Sequence, residues 1–219
     1  YGSVPGTEVA ITLDRLLGGR GQIFFTNSGA EAIECAIKLA RKWGGSGRYG
    51  VVSAYGSFHG RTLGALHATG QPAKWEGFQP LPEGFRHVAW NDLEALEAAI
   101  DPTIAAVLLE PIQGEGGFIV PAEGYLPALV EWCHANGIVY VSDEVQSGMT
   151  RTGAYFASEH FGIIPDLVIS AKGIGGGMPI AAVTGRADIM DASHPGGLGG
   201  TFGGNPVSCA AVISVFDEV

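Results

Sequence analysis

Two stretches of this sequence decide its fold: residues 104–109 read IAAVLL, and residues 138–146 read IVYVSDEVQ. Each contains a short run in which nearly every residue is apolar. Runs that are apolar on every side are typical of strands covered on both faces. The same pattern predicts further strands at 22–26, 50–54, 167–170 and 180–184.

Stretches with helical spacing of apolar residues separate these strands. Strand–helix alternation predicts an α/β fold, with a mostly parallel central sheet and helices on both faces. No linker or change in composition interrupts the chain, so we expect one domain over residues 1–219. The apolar faces lie at Val9, Leu13, Leu16 and Leu17, at Ile33, Ile37, Ala40 and Trp43, and at Leu126, Leu129, Val130 and Cys133, and residues 210–219 predict a last helix.

The overall charge excludes some classes of function. There are 22 acidic residues against 12 basic ones, and the formal net charge is −10. A general nucleic-acid binder needs a basic face, and an anionic membrane surface would repel this chain, so we expect neither partner.

The cysteines, the apolar runs and the first residues of the chain indicate the compartment in which the protein is expected. Three cysteines without CxxC spacing argue against a disulfide framework or a zinc site and favour a reducing, cytoplasmic location. No apolar run approaches the length of a membrane helix, and the histidines show no metal-ligand spacing, so we assign no metal. No signal peptide is evident, and the chain starts at Tyr1, so we expect it to be part of a longer protein.

The residues that follow the predicted strands point to a ligand site. Ligands in mostly parallel sheets bind at the carboxyl ends of the strands. Five such ends are polar or glycine-rich, as a site requires: 26–30, 54–60, 110–117, 143–146 and 171–177.

Two glycine-containing turns are candidates for binding phosphate. Residues 27–31, NSGAE, leave a strand and open a helix, so their free N–H groups and the helix dipole suit a phosphate. An ordinary capping box is the alternative, since Ser28 and Glu31 have the S-x-x-E spacing, and the two interpretations are compatible. Residues 45–50, GSGRYG, fit GxGxxG but follow a helix and precede a strand, so a turn is favoured over a dinucleotide site.

An acid and a lysine complete the pattern. Asp143 follows a buried strand, where it either caps the next element or holds a protonated ligand nitrogen. Lys172 ends the next strand; burial there would make its amine a nucleophile toward aldehydes, whereas a loop would let it reach solvent. A phosphate cup, an acid for a ring nitrogen and a lysine for a Schiff base are together the requirements of pyridoxal 5′-phosphate.

The chain closely resembles the class III (ω-) aminotransferases, pyridoxal-phosphate enzymes of fold type I. The segments that carry the resemblance run through nearly the whole chain in the family's order. They are FFTNSGAEAIECAIKLAR (24–41), SFHGRT (57–62), LLEPIQGEGG (108–117), SDEVQSGMTRTG (142–153), SAKGIGGGMPIAAVTGR (170–186) and GGTFGGNP (199–206).

The resemblance implies roles around the cofactor ring. Lys172 matches the lysine that binds the cofactor covalently and then transfers the proton, and Asp143 matches the acid that keeps the pyridine nitrogen protonated. Val145 matches the residue packed under the ring, and Gln146 matches the partner of the ring hydroxyl.

It also implies a phosphate site and a second ring contact. Gly29 and Ala30 match the phosphate-binding turn, with Ser28 beside them. Phe58 matches the aromatic residue that stacks on the other ring face, and His59 is expected in the same cofactor site, where it positions the turn of Phe58.

The resemblance further implies substrate and partner contacts. Arg61 matches an arginine that binds a substrate carboxylate, with a surface salt bridge as the alternative, and Glu115 matches a glutamate that pairs with a second, mobile arginine. Thr201 matches a threonine that reaches the phosphate of the neighbouring subunit, so a homodimer with shared active sites is expected.

Within the family the resemblance is mixed. Residues 1–92 look most like acetylornithine aminotransferase, whereas the part from Glu110 onward looks more like 4-aminobutyrate aminotransferase. Gly200 stands where acetylornithine-type enzymes often carry serine. We therefore predict ping-pong transfer of the terminal amino group of an ω-amino acid of the 4-aminobutyrate type to 2-oxoglutarate, with N-acetylornithine or ornithine as the alternative donor.

A hypothesis from another class remains open. The family's N-terminal segment and C-terminal small domain are expected to be absent from residues 1–219, which would then form the cofactor-binding large domain. Such a chain could bind pyridoxal phosphate as a truncated module without turnover.

Overall fold

A central sheet organises the protein, and its strand order is β1-β7-β6-β5-β4-β2-β3. The structure is a computed structural model that describes residues 2–19 and 21–219. Within these residues the strands are β1 (Gly21–Thr26), β2 (Gly50–Ala54), β3 (Phe85–Val88), β4 (Ile104–Leu109), β5 (Val139–Asp143), β6 (Leu167–Ser170) and β7 (Ala181–Arg186).

Helices fill most of the connections between these strands. Several begin at a side chain that caps the free N–H groups: Ser3 for the first helix, Ser28 for the second and Asp92 for the fourth. The helices are α1 (Val4–Leu16), α2 (Gly29–Gly44), α3 (Leu63–Ala68), α4 (Leu93–Ala99), α5 (Tyr125–Ala135), α6 (Ala187–Met190) and α7 (Pro206–Glu218), and single 3₁₀ turns cover Pro72–Lys74, Ala157–Phe161 and Lys172–Gly175.

Helices cover both faces of the sheet, as predicted. Neighbouring residues of one strand point to opposite faces: Val51 packs in one core with α2, and Val52 packs in a second core with α5. Strands β2, β4 and β5 are buried at every position. Because both faces exclude water, these strands carry apolar residues without a polar alternation. The predicted fold class, α/β with a mostly parallel sheet, is confirmed.

Strand β7 is the exception to the parallel arrangement. It runs antiparallel to both of its neighbours, β1 and β6. Only ten residues, 171–180, connect β6 to β7. A parallel crossover needs a dozen or more residues, so this connection favours the antiparallel direction.

The sequence patterns did not predict four short elements, β3, α3, α4 and α6. The edge strand β3 reads FRHV and has little apolar periodicity, and it pairs on one side only, with β2. Helices α3, α4 and α6 have six, seven and four residues, which is too short for a helical repeat to stand out. The GSGRYG stretch connects α2 to β2, as the turn interpretation predicted.

Across residues 2–19 and 21–219, we find no helix with the length and apolar character needed to span a membrane.

Candidate active site

The five polar strand ends meet in one cavity of about 450 Å³. Because β7 runs opposite to its neighbours, its beginning also lies at this edge and closes one side with residues 177–180. The lining residues are Asn27, Ser28, Gly29, Ala30, Phe58, His59, Gly60, Arg61, Glu110, Glu115, Asp143, Val145, Gln146, Ala171, Lys172, Gly177, Met178, Pro179 and Ile180.

The start of α2 forms one wall of this cavity. The Ser28 hydroxyl accepts the N–H of Glu31 at 3.3 Å, and the Glu31 carboxylate accepts the N–H of Asn27 at 2.7 Å. Among the described residues, no acceptor pairs with the N–H groups of Gly29 and Ala30. The turn is thus capped and still offers two free donors at the positive end of the helix dipole, which suits a phosphate.

Two glycines around this wall leave little room for a side chain. A Cβ atom on Gly29 would lie 3.2 Å from Cγ2 of Val145. Gly60 has φ +142°, and a Cβ atom there would lie 2.9 Å from the Cβ atoms of Ala30 and Ala65. These glycines let the turn after β2 and Val145, the second residue after β5, pack closely against the start of α2.

A buried carboxylate and a histidine form the floor of the cavity. Asp143 ends β5 and is 2% exposed. One of its oxygens lies 2.7 Å from Nδ1 of His59, and the other accepts the N–H of Val145 at 3.0 Å. These two contacts fix the orientation of the Asp143 carboxylate. The Nε2 atom of His59 is buried and has no partner among the described residues.

Glu110 is a second buried carboxyl group in the cavity, and the sequence analysis missed it as a site residue. It follows β4 directly and is 3% exposed. Its oxygens accept the N–H groups of Phe58 and Gly114, each at 3.1 Å. The pKa of Glu110 is raised to about 7, mainly by burial; the charge of Asp143 also raises it, whereas His59 and the two N–H donors lower it. The sequence feature that could have identified Glu110 is its position directly after the apolar strand at 104–109.

Lys172 lies at the cavity wall and is exposed rather than buried. Its Nζ donates a hydrogen bond to the side-chain oxygen of Gln146. Its backbone has φ +48°, a left-handed conformation that is strained for a residue with a side chain. Strain of this kind concentrates at functional sites, where the surrounding structure maintains it. Of the two alternatives, the structure supports a lysine that reaches out from a turn.

Cationic groups surround Phe58 at the cavity mouth. The guanidinium of Arg61 and the ammonium of Lys74 each lie 5.5 Å from the centre of its ring. Arg61 and Glu115 line the cavity, and both are exposed. Neither belongs to an ion pair within residues 2–19 and 21–219, so the surface salt bridge considered for Arg61 does not form there.

Thr201, a predicted site residue, and Glu144, the acidic neighbour of Asp143, both lie outside the cavity. Thr201 is exposed and does not line it. Glu144 is buried next to Asp143, but its carboxylate accepts the N–H groups of Ala157 and Ser158 at 3.0 and 2.8 Å. Its contacts hold the 157–161 turn against the end of β5, which is a structural task.

The cavity residues fit pyridoxal phosphate. The free N–H groups of Gly29 and Ala30 suit its phosphate, the oriented carboxylate of Asp143 suits a protonated ring nitrogen, and the exposed amine of Lys172 suits its aldehyde. The volume of the cavity is in the range of small-molecule sites. The fold and the site together define the class of the protein as a pyridoxal-phosphate enzyme of the α/β type.

Comparison with known proteins gives the family. The sequence profile of the class-III aminotransferases matches residues 2–219, and the chain belongs to this family. It is 50% identical over 198 residues to acetylornithine aminotransferase of Methanopyrus kandleri, covering 90% of this chain and 50% of that protein. It is 50% identical over 215 residues to acetylornithine aminotransferase of Mycolicibacterium smegmatis, covering 98% of this chain and 54% of that protein.

Solved structures agree with this assignment. The ornithine aminotransferase of Toxoplasma gondii superimposes with a TM-score of 0.93 at 36% identity, over 100% of this chain and 54% of that one. An (S)-enantioselective ω-transaminase of Thermomicrobium roseum gives 0.94 at 36% identity, over 99% and 55%. The family implies pyridoxal phosphate as the cofactor, and the Toxoplasma gondii enzyme binds it at its active site. The chain spans about half the length of the curated relatives it matches, 50% and 54% for the two named above.

Proposed function

We propose that this chain is the cofactor-binding large domain of an acetylornithine-type aminotransferase, which transfers the terminal amino group of N-acetylornithine or ornithine to 2-oxoglutarate. One observation carries the proposal: a single cavity brings together the Lys172 amine, the Asp143 carboxylate and the free N–H groups at the start of α2. The choice of donor is supported by relatives at 50% identity that are named acetylornithine aminotransferase. The preference for 4-aminobutyrate drawn from the sequence is not confirmed by these relatives.

Residues around the ring carry the proton chemistry. When bound, pyridoxal phosphate supplies an aldehyde that joins an amine and a ring that withdraws electrons from the reacting carbon. Asp143 holds a proton on the ring nitrogen, and its contacts with His59 and Val145 keep its carboxylate in place for this task. Lys172 would hold the aldehyde through its Nζ, and the same atom, when free, would take the proton from the substrate carbon and return it, as a general base and acid. The side-chain oxygen of Gln146 accepts a hydrogen bond from Lys172 Nζ, so Gln146 lies where it can orient this amine.

Residues at the cavity mouth select the substrate. The guanidinium of Arg61 is a planar fork that suits a carboxylate, and it has no acid partner among the described residues. Glu115 lies at the same mouth, where it can balance a cationic group of the donor or of the protein. A donor whose carboxylate binds Arg61 keeps the amine at its other end free to react.

Dimerisation and cytoplasmic location complete the proposal. Thr201 lies outside the cavity of its own chain and is exposed, as a residue that serves a neighbouring subunit's site must be. The three cysteines are free and buried, as in a reducing compartment.

The decisive experiment replaces Lys172. Wild-type protein and Lys172→Ala are mixed with pyridoxal phosphate, reduced with borohydride and analysed by mass spectrometry and visible absorbance. We expect a stable adduct at Lys172 in the wild type only, and no amino transfer by the variant. Transfer at the wild-type rate by Lys172→Ala would refute the role of this lysine.

A panel of donors separates the possible activities. N-acetylornithine, ornithine and 4-aminobutyrate are each added to the cofactor-loaded protein, and the absorbance of the cofactor is followed. A rapid change with the first two supports our proposal, and a change with 4-aminobutyrate alone contradicts the choice of donor. A cofactor spectrum that ignores every amine identifies a binding module without turnover.

A further inference from the structure

Glu110 joins two separate loops of the cavity. One oxygen accepts the N–H of Phe58, in the loop after β2, and the other accepts the N–H of Gly114, in the loop after β4. The Gln113 side chain adds a third contact between these loops by donating to the Tyr55 carbonyl at 3.0 Å. Glu110 is 3% exposed and has no ion-pair partner among the described residues.

The two contacts depend on the charge of the carboxyl group. An ionised carboxylate is acceptor-only and can serve both N–H groups, whereas a protonated one presents a donor at one oxygen. The N–H group that faces this donor then has no acceptor, and a buried donor without a partner is costly. Protonation therefore loosens one loop relative to the other.

Glu110 changes its charge near neutral pH because of its surroundings. Burial is the main cause of its raised pKa, which is about 7. His59 and Asp143 are the charged or titratable groups that act on it directly, with opposite signs. The other charged groups that line the cavity, Arg61, Glu115 and Lys172, are exposed to solvent, which screens them.

We propose that Glu110 is a positioning residue whose ionised carboxylate clamps the loop of Phe58 and Arg61 to the loop of Gly114 and Glu115. In this role it touches neither the cofactor nor the substrate. It acts by holding together the aromatic wall, the arginine and the glutamate that border the mouth of the cavity. Its effect on catalysis rests on the function proposed above, whereas the clamp itself does not.

Amide hydrogen exchange tests the clamp directly. Wild type and Glu110→Gln are compared at the same pH, so intrinsic exchange rates cancel. Glutamine resembles the protonated acid, because it has one acceptor and one donor group. At pH 8 we expect exchange in peptides containing Phe58 and Gly114 to be about fivefold faster in the variant, the effect of one net hydrogen bond. At pH 6 the two proteins should exchange alike.

Glu34 supplies a matched control. Its carboxylate also accepts two backbone N–H groups, those of Gly64 at 2.9 Å and Ala65 at 3.1 Å, but it lies outside the cavity. Glu34→Gln should leave exchange at Phe58 and Gly114 unchanged. Equal exchange of wild type and Glu110→Gln in both peptides at pH 8 would overturn the proposal, as would equal acceleration by Glu34→Gln.

A kinetic measurement links the clamp to catalysis. At pH 8 we expect Glu110→Gln to raise KM for the carboxylate-bearing donor about fivefold while kcat changes less than twofold, and the wild-type KM should rise toward the variant's value at pH 6. An unchanged KM would show that the clamp does not serve substrate binding. If the exchange results hold while the wild type retains no pyridoxal phosphate, the proposed function fails and the clamp stands.

Discussion

Glu110 should make the stability of this protein fall as the pH rises through neutrality. Its pKa is about 7 in the folded protein and about 4.5 when its side chain is free in water. Between these values the folded state binds more protons than the unfolded state, so the free energy of unfolding decreases with increasing pH. This sign is opposite to that of a carboxylate stabilised by a salt bridge.

The expected magnitude follows from the two pKa values. Each pH unit of difference corresponds to about 1.4 kcal/mol, so full ionisation of Glu110 costs the folded protein about 3 kcal/mol. Between pH 5 and pH 8 the contribution should change by about 2–3 kcal/mol. Glu110→Gln keeps the shape of the side chain and removes the ionisation. We therefore expect the variant to become more stable relative to wild type by about 2–3 kcal/mol over this range.

Urea unfolding at 25 °C, followed by tryptophan fluorescence at pH 5, 6, 7 and 8, measures this difference. The other titrating groups cancel between the two proteins, so the pH dependence of the difference reports on residue 110. A difference that stays constant within 0.5 kcal/mol, an error of the order expected from extrapolation, would refute the reasoning. So would a variant that loses stability relative to wild type as the pH rises, because that would mean that the ionised form is favoured by folding. At pH 8 the variant should combine higher global stability with weaker local protection at Phe58, which a simple loss of packing cannot produce.

Three further outcomes are expected. Gly60→Ala should destabilise the protein by about 2–3 kcal/mol in urea unfolding, since it adds both backbone strain at φ +142° and a steric clash. Gly153 has φ +91° but open space around it, so Gly153→Ala should cost only about 1 kcal/mol. His87→Phe should gain stability relative to wild type as the pH falls from 6.5 toward 4. Burial lowers the pKa of His87 to about 4 in the folded protein, so its protonation favours the unfolded state. A constant difference in Tm between the two proteins over that range would contradict this. Arg61→Lys should raise KM for a carboxylate-bearing donor about tenfold with little change in kcat, because an ammonium cannot bind a carboxylate in the same forked geometry, and an unchanged KM would exclude Arg61 from the substrate site.

The central elements of the fold could be predicted because strands buried on both faces require apolar residues at nearly every position. Strands β2, β4 and β5 are buried at every residue, so their apolar runs stand out. The edge strand β3 could not be found, since one neighbour and a half-exposed face place few demands on its side chains. The direction of β7 was not predicted, although the sequence carried a signal for it: the predicted strands at 167–170 and 180–184 leave only nine residues between them, too few for a parallel crossover.

The cavity was predictable in outline for a different reason. Carboxyl ends of neighbouring strands must meet, so polar turns after apolar strands mark the site before any coordinates exist. Glu110 was inside one of these turns, yet nothing in its type separates it from the structural Glu144, which also follows a buried strand. Only the partners tell them apart: Glu110 holds two cavity loops, and Glu144 holds a turn outside the cavity.

Two buried carboxyl groups in one cavity raise the question of which one serves the cofactor ring, and their surroundings give the answer. Asp143 has His59 at 2.7 Å and one N–H donor, and its position at the end of β5 places it beside Val145 and Gln146. Both oxygens of Glu110 accept backbone N–H groups. Its pKa is raised to about 7, so a large part of it is protonated at neutral pH. A protonated ring nitrogen needs a carboxylate partner, because a neutral acid brings no negative charge and can turn an O–H donor toward the ring N–H. The contacts of Asp143 therefore favour it as the partner of the ring nitrogen, and those of Glu110 favour a role in holding the two loops together. If this division is right, Asp143→Asn will abolish amino transfer while pyridoxal phosphate still binds, whereas Glu110→Gln will retain transfer with a weaker hold on the donor; the reverse pattern would exchange the two roles.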